Sequence, residues 1–222
     1  MIVVHHLQNS RSQRILWMLE ELGVDYKVKR YERDASTQLA PPELLDVHPL
    51  GKSPVISDGD RVIAESGAIV EYLAREYGDG QLAPPVGSDD YNTYQYWLHF
   101  AEGSLMSPLL MRLVFSRIKE SPMPFFAKPI AKGIANKVLS SFVQPNIDRQ
   151  MAFIDAHLAE REWFAGPTLT GADIQMSFPL EAALARDKRI AQHTHILQFV
   201  EKVQEREAYQ RALAQGGPYD YA

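Results

Sequence analysis

The chain has 222 residues, 45% hydrophobic and 23% charged, ordinary proportions for one large domain or two small ones with a sizeable core. It holds no cysteine, which excludes disulfides, thiolate metal sites and a cysteine nucleophile, and its formal net charge of −5 argues against a nucleic-acid partner. The opening stretch MIVVHHLQNSRSQR lacks the apolar core of a secretory signal, and no apolar run approaches the roughly 20 residues of a membrane span, so a cytoplasmic protein is expected.

Ile2 to Leu7 is short and β-branched, a strand. Ser10 to Leu22 carries Ile15, Leu16, Met18, Leu19 and Leu22 at helical spacing, with Gly23 as the stop. VDYKVKRYE alternates as a strand does, and PPELLDVHPLG reads as a short helix after a loop. Pro54 to Ser57 and Arg61 to Ala64 are strands joined by Asp-Gly-Asp, a hairpin signal, and Ser66 to Tyr77 is an amphipathic helix. The order β-α-β-α-β-β-α predicts a small mixed sheet with helices on both faces. Gly, Pro and Ser then crowd residues 78–90, the best boundary. Beyond it, helical periodicity covers segments near 89–119, 130–158, 171–185 and 196–204. The expected division is a domain over residues 1–79, a linker over 80–90 and an all-helical domain over 91–222.

Three short stretches carry chemistry. Pro54 lacks an N–H, so it opens an edge strand in the ordinary trans form, or in the cis form turns the Val55 backbone outward to pair with an extended peptide. Glu65 and Ser66 stand at a helix start. They read as a capping pair, or as a grip for an α-amino-acid head, with Ser66 on its carboxylate and Glu65 on its ammonium. Ser10 lies between the first strand and the first helix, as an N-cap or as a hydroxyl donor to an anion. No metal-ligand spacing involves His5, His6, His193 or His195, and no metal is expected.

Taken together and in order, NSRSQRILWMLEELG, HPLGKSPVI and ESGAIVEYL resemble the glutathione-binding half of the glutathione transferase superfamily. GPTLTGADI, with Thr170 and Asp173, resembles that family's helix-capping motif, a folding element. YWLHFAEGSLMSPLL resembles the start of the helical domain in a fungal and bacterial branch. The resemblance spans nearly the whole chain. It implies an α/β thioredoxin-like N-terminal domain followed by an all-α C-terminal domain, with glutathione as co-substrate. It implies a cis Pro54 presenting Val55 to the cysteinyl backbone, Glu65 and Ser66 on the γ-glutamyl end, and Lys52 on the glycyl carboxylate. With no cysteine and no tyrosine before Tyr26, a serine-type member is implied, whose active serine stands four residues before an arginine of the first helix. That counts back from Arg14 to Ser10, with Ser12 and Asn9 as competitors; the spelling Asn-Ser-Arg-Ser departs from the usual one. Arg11 and Gln38 are lesser polar contacts.

The implied activity joins the thiolate of reduced glutathione to a hydrophobic electrophile held between the domains, with His99, Met106 and Leu110 as pocket residues and a homodimer as the assembly. Rival readings are other glutathione chemistry (peroxide reduction, reductive ether cleavage, isomerisation) and a non-catalytic interaction module; such modules tend to lose the Glu–Ser pair that is intact here. The stretch over residues 112–137 holds six lysines and arginines against the single acid Glu120, interleaved with Phe125, Phe126, Ile130 and Ile134. It reads as two helices joined by a proline-rich turn, as a lid over the pocket, or as a membrane-surface helix.

Overall fold

The computed structural model describes residues 1–222. Strands β1 (Ile2–Leu7), β2 (Tyr26–Tyr31), β3 (Val55–Asp58) and β4 (Arg61–Ala64) form one sheet in the order β2-β1-β3-β4. β1 and β2 are parallel, which requires a crossover, and α1 (Gln13–Leu22) supplies it. The other two pairings are antiparallel, and Gly59 at φ 58° makes the tight turn of the β3–β4 hairpin. α2 (Ser66–Tyr77) follows β4 and packs beside α1.

The alternation of β1 sorts its side chains. Ile2 and Val4 join the main core with Ile15, Leu16 and Leu19 of α1, whereas Leu7 joins Tyr31 and Leu44 in a small cluster apart from it. The helix expected in PPELLDVHPLG is a single 3-10 turn, Pro42–Leu44, set between the N–H-less Pro41–Pro42 pair and Pro49. The first helix starts at Gln13 rather than Ser10, because residues 8–12 form the turn that leaves β1.

The second half is helical. α3 (Asp89–His99) continues through a π-helical stretch, Phe100–Leu105, into α4 (Met106–Glu120). α5 (Ala127–Val138) continues through a second one, Leu139–Val143, into α6 (Gln144–Glu160). α7 (Gly171–Arg186), α8 (Thr194–Gln204) and α9 (Glu207–Gly216) complete the chain. α7 is buried on every side from Gly171 to Ala183. At its start a side chain on residue 171 would come within 2.5 Å of Val70 Cγ1, so only glycine lets α7 approach α2. The Asp173 carboxylate accepts from the N–H of Thr170 at 2.7 Å, its hydroxyl at 2.8 Å and the N–H of Phe164 at 2.7 Å.

α9 lies within the part expected to be all-helical, beyond the last segment with clear apolar periodicity. Its buried Ala208, Tyr209 and Ala212 bring it back onto α1, where the Tyr209 and Trp17 rings meet edge-on at 5.6 Å. The basic stretch is the antiparallel helix pair α4–α5, joined through residues 121–126. No helix is long and apolar enough to cross a membrane.

Candidate functional site

The turn after β1, the entry to β3 and the N-terminus of α2 converge where the sheet meets the helical half. Asn9 adopts φ 52°, a left-handed conformation that asparagine tolerates. Its amide donates to the Asp220 carboxylate at 2.7 Å and accepts the Asp220 N–H at 2.9 Å, so it secures the C-terminal tail.

Ser10 and Ser12 have separate environments. Ser12 is wholly buried; its hydroxyl lies 2.9 Å from His6 Nδ1 and accepts the Leu7 N–H at 3.2 Å. Ser10 Oγ lies 2.8 Å from Ser12 Oγ and accepts the Ser12 N–H at 3.2 Å. Burial first, and then the charge of Arg30, lowers the His6 pKa from 6.5 to about 4, so the ring is neutral. A neutral imidazole carries one N–H and one acceptor nitrogen, and Nδ1 is the nitrogen that faces the Ser12 hydroxyl. The hydroxyl chain therefore runs from Ser10 to Ser12 to His6. Ser12 is committed to it, and Ser10, also buried, is the other end, between Asn9 and Arg11 of the cavity lining.

The Ser53–Pro54 peptide bond is cis. Val55 does not offer a free edge, contrary to the expectation from the sequence. It lies in β3 opposite His5 on one side and Ala64 on the other, so both flanks are taken by ladder partners. The unpaired backbone is one residue earlier: neither the N–H nor the C=O of Ser53 enters a hydrogen bond, while its hydroxyl is stitched to β1 through the His5 carbonyl at 2.9 Å and the Leu7 N–H at 3.3 Å. Lys52 is exposed and unpaired at the lip of this turn.

Glu65 immediately precedes α2 with φ 70° and ψ 119°, a backbone state that costs a residue with a Cβ ~1–3 kcal/mol and clusters at functional positions. Its side chain caps nothing. Ser66 behind it is buried, and its hydroxyl accepts from Arg14 Nη2 at 2.9 Å and from Gln175 Nε2 at 3.1 Å. With both lone pairs engaged, its own proton is free to donate toward an anion, alongside the unpaired N–H groups of the first turn of α2.

Arg14 is itself buried and paired with Glu102 at 2.5 Å; Arg11 takes the other carboxylate oxygen at 2.8 Å. Burial alone would raise the Glu102 carboxyl, but Arg14 and Arg11 together hold it below its ordinary range. Glu102 sits on the π-helical stretch between α3 and α4. Neither Glu102 nor Gln175 was legible as a site residue, since each acts through a partner far away in the chain.

A cavity of about 570 Å³ opens beside the Ser10 turn between the two halves. Met106, Leu110, Leu113 and Phe178 line its apolar side, and Arg11 and Gln38 its polar side. Of the expected pocket residues, Met106 and Leu110 stand on this wall; His99, exposed at the end of α3, does not.

The chain is similar to known proteins over most of its length. Residues 1–75 match the family model "Glutathione S-transferase, N-terminal domain" and residues 123–207 match "Glutathione S-transferase, C-terminal domain". Glutathione S-transferase 3 of Schizosaccharomyces pombe is 40% identical over 183 residues, covering 82% of this chain and 74% of that protein. Glutathione S-transferase 1 of Saccharomyces cerevisiae is 35% identical over 192 residues, covering 83% and 82%. A crystal structure of a glutathione S-transferase from Actinobacillus pleuropneumoniae superposes with a TM-score of 0.82 at 33% identity, covering 100% of this chain and 95% of that one. With the thioredoxin-like sheet, the helical half and the length of these matches in agreement, the chain belongs to the glutathione S-transferase family and is a glutathione transferase.

Proposed function

We propose that the protein conjugates the thiolate of reduced glutathione to the electrophilic carbon of a compound with an apolar body, bound in the cavity between the halves. The observation that carries this reading is the saturated hydroxyl of Ser66, which has only its proton left to give, next to an uncommitted Glu65. In this reading Ser66 and the first N–H groups of α2 hold the γ-glutamyl carboxylate, and Glu65 holds the adjacent ammonium. The free N–H and C=O of Ser53, before cis Pro54, pair with the cysteinyl backbone, and Lys52 meets the glycyl carboxylate.

The sulfur then falls near Ser10. The Ser10 hydroxyl turns from Ser12 toward the sulfur when glutathione arrives, and donates to the thiolate. A free thiol has a pKa near 8.5; lowering it by about two units, ~2.7 kcal/mol, raises the thiolate from about 3% to about 75% at pH 7. The sulfur–carbon bond forms as the leaving group departs with its electron pair. The protein acts in the cytoplasm, as a homodimer.

Calorimetric titration with reduced glutathione, on wild type and Glu65→Ala, tests the site. Binding in the micromolar-to-millimolar range that weakens sharply in the variant supports it. No binding by the wild type up to roughly ten millimolar, above the range in which enzymes usually hold substrates, sinks it.

A further inference from the structure

The cavity beside Ser10 is not a purely apolar pocket. Arg11, Arg33, Arg117 and Arg186 line it against a single carboxylate, Asp220. Arg11 shares the single Glu102 carboxylate with Arg14, and Arg33, Arg117 and Arg186 have no carboxylate within 4.0 Å. Arg33 is held by main-chain oxygens: Gln8 at 3.3 Å, Asn9 at 3.4 Å and Gln38 at 3.1 Å. Arg186 donates to the Tyr221 hydroxyl and stacks over its ring at 4.9 Å. Asp220 is itself engaged by Asn9 at 2.7 Å. Burial holds the Arg33 pKa below its ordinary value; Tyr221 opposes the lowering, and the charge of Arg117 adds a smaller part to it.

Three guanidinium groups without a carboxylate partner stand around one cavity and make it a place of positive charge that favours a bound anion. The opposite wall is apolar, with Met106, Leu110, Leu113 and Phe178. The cavity is therefore amphipathic. We infer that the second substrate is an organic anion, a carboxylate-bearing electrophile whose apolar body packs on α4 and whose carboxylate is taken by Arg117 and Arg186. Their place on α4 and α7 puts this anion subsite in the helical half, apart from the residues proposed to hold glutathione. The inference rests on the glutathione reading for the reaction, but not for the binding of the anion.

Two matched pairs test it. The unreactive pair is dinitrobenzene and dinitrobenzoate, titrated into the protein without glutathione. The carboxylate is expected to bind about tenfold tighter, an advantage lost in the double variant Arg117→Gln/Arg186→Gln and on raising the salt. Arg117→Lys, which keeps the charge, retains most of it. The reactive pair is a chlorodinitrobenzene and the same ring with a carboxylate para to chlorine. In both, the glutathione sulfur bonds to the ring carbon and chloride leaves with the electron pair. The KM of the anionic ring is expected to rise about tenfold in the double variant while that of the neutral ring changes less than twofold.

Equal binding of the two unreactive rings, or equal loss of both in the double variant, overturns the proposal. A double variant that raises the KM for glutathione and leaves the ratio between rings unchanged also overturns it, because the arginines would then serve glutathione. Selective binding of dinitrobenzoate without turnover of either chlorinated ring upholds the anion subsite and removes the proposed conjugation of such rings instead.

Discussion

Arg14 Nη2 lies 2.9 Å from the hydroxyl of Ser66, so the first helix of the sheet domain reaches the N-terminus of the second through a buried guanidinium. The same guanidinium is paired with Glu102 on the stretch between α3 and α4. The helical half thereby sets the direction in which Ser66 donates.

Glu102→Gln strips that buried guanidinium of its charge partner. Because Glu102 is itself 31% exposed, the loss is expected below that of a wholly buried pair, ~2–3 kcal/mol in chemical denaturation. The KM for glutathione should rise about tenfold with it. The pair Arg14→Met/Glu102→Leu removes both charges and should recover stability without recovering glutathione affinity. Recovery of both would reduce the network to a packing role.

Ser10→Ala and Ser12→Ala should separate cleanly. Ser10→Ala takes the acceptor from the buried Ser12 N–H, for ~1 kcal/mol of stability, and is expected to lower kcat/KM below neutral pH by roughly ten- to hundredfold, with the apparent pKa of bound glutathione moved up. The thiolate's ultraviolet absorbance against pH reads that pKa directly. Ser12→Ala leaves His6 Nδ1 without its buried partner and the Leu7 N–H with the Ser53 hydroxyl alone, and should cost ~1–3 kcal/mol of stability. If instead Ser12→Ala alone moves the thiol pKa, the assignment of Ser10 is wrong.

Acid should unfold the protein partly through His6. The unfolded chain takes up a proton near 6.5, whereas the folded chain does so only near 4. Between those values the unfolded state binds more protons, so the stability present above pH 6.5 falls as pH drops through this window, by ~3 kcal/mol for this group. Burial lowers His5 and His157 as well, so the test is a difference: the stability–pH slope of His6→Gln against wild type. A slope unchanged by the substitution would show that His6 does not report this burial.

Asp173→Ala should destabilise without altering the chemistry. It orphans the N–H groups of Thr170 and Phe164 in the core, for a loss of ~2–4 kcal/mol in denaturation. KM values of the soluble fraction should stay within twofold of wild type; a large change in the KM for glutathione would mean that α7 carries the capping motif's influence to Gln175 and Ser66.

The sequence alone determined the elements whose signals are local. Strand β1, the Asp-Gly hairpin, helix α2 and the glycine stop of α1 follow from side-chain periodicity and turn chemistry within a few residues, and the ordered motifs around Ser10, Pro54 and Glu65 were enough to suggest the family. Tertiary structure decided the rest. Helix α9 draws its stability from packing Tyr209 on Trp17, far away in the chain, so its own pattern of small apolar residues gave weak notice. Whether Val55 or Ser53 has a free backbone depends on the strands on either side of β3, which no local pattern records. Glu102, Gln175 and the arginines around the cavity matter because folding brings distant charges and hydroxyls within hydrogen-bond reach, and Coulomb and hydrogen-bond energies depend on distance in space and not on position in the chain.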